Sequence, residues 1–207
     1  SNSKTLLTSL NENIYFTLSS VSGYLSISSS LIILSIFVND TELGKFSVAQ
    51  KVALLLRTIP VLITQSILQE ATRKAKENKT NFYKFLKNTY KNSLIFTLLI
   101  GLLISLLSKW IIYILSGEFI IYSQSILVVL AFVPFFSMLN LKNMILIILN
   151  ERKKILNKTS WYTVLFTFIL GAFMSFYFGG FGMAIVLIFS ELFNYLICNY
   201  YLKKHEK

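Results

Sequence analysis

Arg57, Lys142 and Glu191 are the ionisable residues that fall deep inside long apolar stretches of this chain. A charged side chain is costly in hydrocarbon, so residues of this kind face a bundle interior or a water-filled cavity and mark pathways for substrates, ions or protons. Arg57 lies too far past the start of its stretch for easy snorkelling, which favours a cavity role. Lys142 has two readings, lining a cavity or snorkelling to the headgroups. Glu191 suits an ion pair or shared hydrogen bond with a neighbouring helix, proton coupling being the alternative use of a carboxylate there. Ser19, Ser22, Gly23, Ser26 and Ser30 recur at three- and four-residue spacing and form one small-residue face, for close packing or for cavity lining. Catalytic signatures are missing. The sole histidine, His205, sits in a charged tail, and no His-Glu-x-x-His, Cys-x-x-Cys or phosphate-cradling glycine loop occurs. The lone Cys198 excludes an intramolecular disulfide or multi-cysteine metal site and reads as a lipid- or core-facing filler. No enzyme, metal or cofactor is expected.

These residues must be positioned by membrane helices. Apolar residues make up 55% of the chain and charged ones 14%, and the apolar residues come in blocks, which excludes an ordinary soluble domain. The net charge of +11 is divided among short segments between the blocks, so the positive-inside rule explains it and nucleic-acid binding does not. Six stretches, about 14–38, 47–72, 93–115, 120–150, 161–178 and 183–202, approach or exceed the ~20 residues of a bilayer crossing. The fold expected is a single all-α integral membrane unit of six transmembrane helices. Pro60 and Pro134 are the hinge or kink sites; the stretch containing Pro134 is roughly 45 Å long and must bend, tilt or project. Gly101 reads as a packing contact, and Gly179-Gly180-Phe181-Gly182 as a tight turn. The run from Arg73 to Lys91 reads as a basic loop whose Phe82, Phe85, Leu86 and Tyr90 lie at the headgroup boundary. Basic connections alternate with weakly charged ones, which predicts cytoplasmic locations for both ends of the segment. The opening Ser1-Asn2-Ser3-Lys4 reads as a cut, and a fragment of a longer protein is expected.

Leu43-Gly44-Lys45-Phe46-Ser47-Val48-Ala49-Gln50-Lys51 before an apolar helix, Leu115-Ser116-Gly117-Glu118-Phe119 after the third stretch, and Gly179-Gly180-Phe181-Gly182-Met183-Ala184 between the last two together carry a resemblance. The chain resembles the C-terminal half of the O-antigen and polysaccharide flippases of the multidrug/oligosaccharidyl-lipid/polysaccharide exporter superfamily. It departs from the family pattern at Leu149-Asn150-Glu151-Arg152, where a small residue and glycine are often found. The resemblance implies one lobe of a two-lobed transporter in the bacterial inner membrane. It further implies undecaprenyl-pyrophosphate-linked oligosaccharides as substrate, a missing N-terminal six-helix lobe as partner, and an association with polysaccharide biosynthesis enzymes. It assigns cavity lining to Arg57 and to the serine face of Ser19, Ser22 and Ser26. A guanidinium could hold two phosphate oxygens, which suits a pyrophosphate crossing hydrocarbon. The competing readings are a drug or cation exporter of the same superfamily and a non-transporting membrane scaffold.

Overall fold

The computed structural model of the protein describes residues 28–206, and every regular element among them is helical. Residues 28–35 form a first helix, α1. Ser19, Ser22 and Ser26 lie outside the described residues. The turn after α1 ends at Asn39, whose side-chain oxygen accepts a hydrogen bond from the Glu42 N–H at 2.8 Å. That bond caps α2 (Asp40–Glu77), and Asp40 and Glu42 add negative charge to its first turn, where the helix dipole favours it. The helix therefore starts ahead of the apolar stretch, and Leu43-Gly44-Lys45-Phe46 is already helical, with Phe46 buried. α2 stays helical through Pro60, and the Thr64 hydroxyl donates to the Pro60 carbonyl at 2.7 Å.

The lysine-rich segment, expected as a loop, is instead helical. α2 runs to Glu77, α3 spans Lys79–Ser116, and Asn78 alone separates them. Alanine, lysine and glutamate are good helix formers, and Glu70 pairs with Arg73 and Lys74 one turn away. Asn78 makes the sharp junction: its N–H donates to the Lys74 carbonyl at 3.0 Å while its side-chain oxygen accepts from the Thr80 N–H at 2.8 Å. Solvated charge was compatible with helix, not only with loop. The aromatic face is redirected as well. Phe82 and Leu86 are buried against Ile67, Ala71, Met138 and Leu141, so protein and not the headgroup layer covers them.

Farther along α3, Leu99, Leu103, Leu106 and Ile114 are mostly exposed, a surface suited to lipid. Gly101 continues the helix and permits close packing: a Cβ there would lie 3.0 Å from the Ala131 carbonyl oxygen. Gly117, at φ 77°, ends α3 and donates its N–H to the Tyr113 carbonyl at 2.8 Å.

The fourth apolar stretch is not one kinked helix. It divides into α4 (Ile121–Leu130), α5 (Val133–Met138) and α6 (Leu141–Leu149). Pro134 stands in the first turn of α5, where its missing N–H costs no helical bond, so the break falls just ahead of it. A second interruption follows at Leu139–Asn140, where the Leu139 and Asn140 N–H groups bond three residues back, to Phe136 at 3.3 Å and Ser137 at 3.1 Å.

α7 (Lys153–Glu206) contains one non-helical residue, Gly179, at φ 56° and ψ −142°. The expected four-residue glycine turn is thus reduced to a single left-handed position that favours glycine. Its two arms fold back on each other. Gly182 abuts the Met174 carbonyl, Gly171 faces the Met183 sulfur, and the Phe166 and Phe193 rings stack at 4.1 Å. The order of these contacts makes the arms antiparallel. Small residues at the crossing let the backbones approach, the usual means of helix association in lipid.

Among the described residues, Asp40–Glu77, Lys79–Ser116, Ile121–Leu149 and Lys154–Lys204 are long and apolar enough to cross a membrane. The chain is a multi-pass membrane protein. The fourth segment, 51 residues long, would measure about 76 Å if straight, more than twice the ~30 Å hydrocarbon thickness. Gly179 resolves that mismatch by dividing it.

The hairpin makes a direct prediction. Gly182→Ala inserts a methyl group against the Met174 backbone, which cannot rotate away, and should cost about 1–3 kcal/mol, read as a lower unfolding temperature in detergent. Gly44→Ala meets nothing within 4 Å and removes a helix-weakening glycine, so it should leave stability unchanged or raise it. Equal effects of the two variants would contradict the close crossing.

Candidate functional site: a buried ion pair in a polar cavity

α2 turns Arg57, Pro60, Val61 and Thr64 toward the bundle interior at helical three- and four-residue spacing. Opposite them stands the second arm of α7, carrying Glu191 and Asn194. Arg57 Nη1 donates to Glu191 Oε1 in an ion pair between helices distant in sequence. The side chains are 13% and 6% exposed. A buried charge of either sign requires such a partner, since leaving one unpaired costs several kcal/mol.

The pair borders a cavity of about 60 Å³, room for a few water molecules. Ser137 of α5, Asn140 between α5 and α6, and Thr159 and Ser160 of the first arm of α7 supply the other polar groups of its wall. Below the ion pair a polar network continues toward the basic end of the bundle. Asn143 Nδ2 donates to Asn140 Oδ1 at 3.2 Å, and Asn140 Nδ2 donates to the Cys198 sulfur at 3.4 Å. The Cys198 S–H has two acceptors at 3.6 Å, Thr159 Oγ1 and Asn194 Oδ1, and serves one at a time. The break at Leu139–Asn140 brings Asn140 into this network.

The sequence-derived candidates fare differently. Arg57, Glu191 and Pro60 meet at the cavity. Lys142 does not join them: it is exposed, on a helix whose Leu141, Asn143, Ile145 and Ile147 are buried. Pro134 is buried at the start of α5 and is not part of the cavity wall. Of the serine face, Ser30 falls within the described residues; it is buried and accepts a hydrogen bond from Gln50 Nε2 at 3.1 Å, which packs α1 against α2. The asparagines and threonines of the network were not singled out from the sequence. Their signal was the i, i+3 recurrence of Asn140 with Asn143 and of Glu191 with Asn194, on helices otherwise apolar.

Two further features frame the site. At the opposite end of α2, Glu42 Oε1 accepts hydrogen bonds from the Tyr122 hydroxyl and, at 3.0 Å, from the Gly180 N–H. This ties the α7 turn to α2 and α4. Along its outward face α2 exposes Lys51, Leu55, Leu62, Gln65, Ser66 and Gln69, a mixed surface quite unlike the apolar face of α3. Among the described residues no three His, Cys, Asp or Glu side chains gather to hold a metal ion.

Comparison with protein-family models, curated proteins and solved structures returns no match.

The geometry predicts coupling between the charges. Arg57→Ala and Glu191→Ala each strand a buried charge and should cost about 3–5 kcal/mol, whereas the double variant should cost less than the sum of the two. Thermal unfolding in detergent of all four proteins measures this. Additive losses would mean that the pair is not an energetic unit.

Proposed function

We infer that the chain is one lobe of a two-lobed flippase for pyrophosphate-linked lipid oligosaccharides, with six crossings and a second lobe covering the mixed outward face of α2. The observation that carries the reading is a buried arginine in a polar cavity within a membrane bundle. Lysines and arginines concentrated at one end of the bundle, and a hairpin at the other, suit a transporter whose basic connections lie in the cytoplasm. In this reading Glu191 holds Arg57 in the absence of substrate, and a phosphate oxygen of the lipid takes over the guanidinium during transport. The cavity is far too small for a glycan, so the sugars travel between the lobes, past residues such as Gln65, Ser66 and Gln69. Alternating access around a midplane site requires no hydrolysis.

A second reading has its own support. Arg57 is already paired with Glu191, as a purely structural fastening of α7 to α2 would require, and that would suit a scaffold as well as a transporter.

Binding separates the two. Arg57→Ala should lower the affinity of purified protein for a pyrophosphate-linked lipid by roughly ten- to a hundredfold, the worth of a charge-assisted hydrogen bond. Arg57→Lys, which loses the planar fork, should impair it less, and Glu191→Gln should strengthen it by removing the competing anion. Unchanged binding in Arg57→Ala and Glu191→Gln, with export per inserted molecule intact, would leave the pair structural.

Topology is tested independently. In a Cys198→Ser background, Phe178→Cys, at the exposed end of the hairpin, should react with a membrane-impermeant thiol reagent on intact cells. Lys79→Cys and Lys154→Cys should not react until the membrane is opened. Labelling of Lys79→Cys from outside would reverse the orientation.

A further inference from the structure

The lysines at the start of α3 present an electrostatic problem that the bundle does not solve. Between Lys79 and Lys91 the helix carries Lys79, Lys84, Lys87 and Lys91 and no acidic residue. Lys84, Lys87 and Lys91 stand at i, i+3 and i+7, on one face, and all are exposed. Like charges at this spacing repel, and the N-terminal end of a helix disfavours cations. The neighbouring end of α2 has the same abundance of basic residues but neutralises it locally: Glu70 lies 2.6 Å from Arg73 and 3.3 Å from Lys74, and Glu77 lies 3.9 Å from Arg73. Among the described residues no carboxylate forms an ion pair with Lys84, Lys87 or Lys91.

The same face continues into the apolar part of α3. Asn88 and Lys91 are followed at three- and four-residue steps by Ile95, Leu99, Leu102 and Leu106, all exposed. Depth follows from the far end. Trp110 and Tyr113 are exposed and gather around Phe119 with ring centroids 6.0 and 4.5 Å away, an aromatic anchor of the interfacial kind. Counting back about 20 residues from Trp110 and Tyr113, one hydrocarbon thickness, reaches the stretch around Lys91. Lys91 therefore lies in the headgroup layer, Lys87 at its outer edge, and Lys84 within about 10 Å of it, inside the screening length at moderate ionic strength.

We propose that the Lys84, Lys87 and Lys91 face of α3 is a docking strip for anionic phospholipid, with the headgroup phosphate on the lysines and the acyl chains along Ile95, Leu99, Leu102 and Leu106. Asn88 and Asn92, exposed beside the lysines, add hydrogen-bonding groups for the same headgroup. The partner is the bilayer's own anionic lipid, so the strip stands independently of what the protein transports.

The test uses the purified chain in vesicles of phosphatidylcholine containing spin-labelled phosphatidylglycerol or spin-labelled phosphatidylcholine, and reads the fraction of label immobilised at the protein surface. Wild type should prefer phosphatidylglycerol, and the preference should weaken with salt. The triple variant Lys84→Gln, Lys87→Gln, Lys91→Gln should lose roughly fivefold or more of that preference, about what one headgroup-level lysine contributes. Replacement of the same three by arginine should retain it, and Arg73→Gln, Lys74→Gln, Lys76→Gln should change it much less. Helical content is matched to wild type by circular dichroism. An unchanged preference in the glutamine variant, or an equal loss in the α2 set or in the arginine variant, would overturn the strip.

Discussion

The bundle depends on a constraint imposed by hydrocarbon: a charge or an open backbone group inside it must find its partner within the protein. Arg57 makes the constraint acute. Its guanidinium sits in the middle of α2, and Glu191 on α7 answers it. The two helices are therefore held in one register, because sliding α7 by one residue would rotate Glu191 away from Arg57. Around that fixed point the remaining polar side chains satisfy one another in a chain running through Asn194, Cys198, Asn140 and Asn143.

α2 and the second arm of α7 are joined at two depths. Glu42 meets Gly180 near one end, and Arg57 meets Glu191 farther in. The second contact lies about 22 Å along α2 from the first and about 16 Å along α7, so the helices descend from the same end, essentially parallel but inclined. Gly179 is what allows this. Its backbone conformation reverses the chain in a single residue, and a side chain there would strike the Glu42 carboxylate. The hairpin and its anchorage on α2 consequently depend on the same glycine.

Much of this was legible in sequence, for physical reasons that also mark where legibility ended. Long apolar blocks announce membrane helices because nothing else satisfies the backbone in lipid. Glycines at Gly101, Gly179 and Gly182 announced close approach or reversal, and each does one or the other. The basic segment spanning the end of α2 and the start of α3 reads as a loop from its exposed charge, although the lysines, alanines and glutamates at the end of α2 favour helix. The break at Leu139–Asn140 had no proline or glycine to betray it. From its sequence position Lys142 has two readings, cavity lining or snorkelling, and the packing of α6 turns it outward, away from the cavity. The Arg57–Glu191 pairing joins residues 134 apart and leaves no trace in local periodicity. Patterns of three to four residues report which face a helix buries, not which helix it meets.

The interruptions in the fourth apolar stretch show how the site is built. Irregular backbone at membrane depth is tolerated where protein buries it or where it lines a cavity. Ala131 and Asn140, one at each interruption, are respectively 0% and 2% exposed, so neither break faces lipid. At the first, Pro134 removes a donor, and Gly101 lets α3 close over the Ala131 carbonyl. At the second, tightened bonds to Phe136 and Ser137 bring Asn140 between α5 and α6, where its side chain bonds with both Asn143 and Cys198. A straight helix through this stretch would carry its polar residues at fixed angular intervals. Ser137, Asn140 and Met144 keep the i, i+3, i+7 spacing of one helical face across the second interruption, and they share one cavity wall with Arg57 and Glu191. The cavity is thus walled on one side by the face of the interrupted stretch that carries Ser137 and Asn140, and on the other by the Arg57–Glu191 pair that joins α2 to α7.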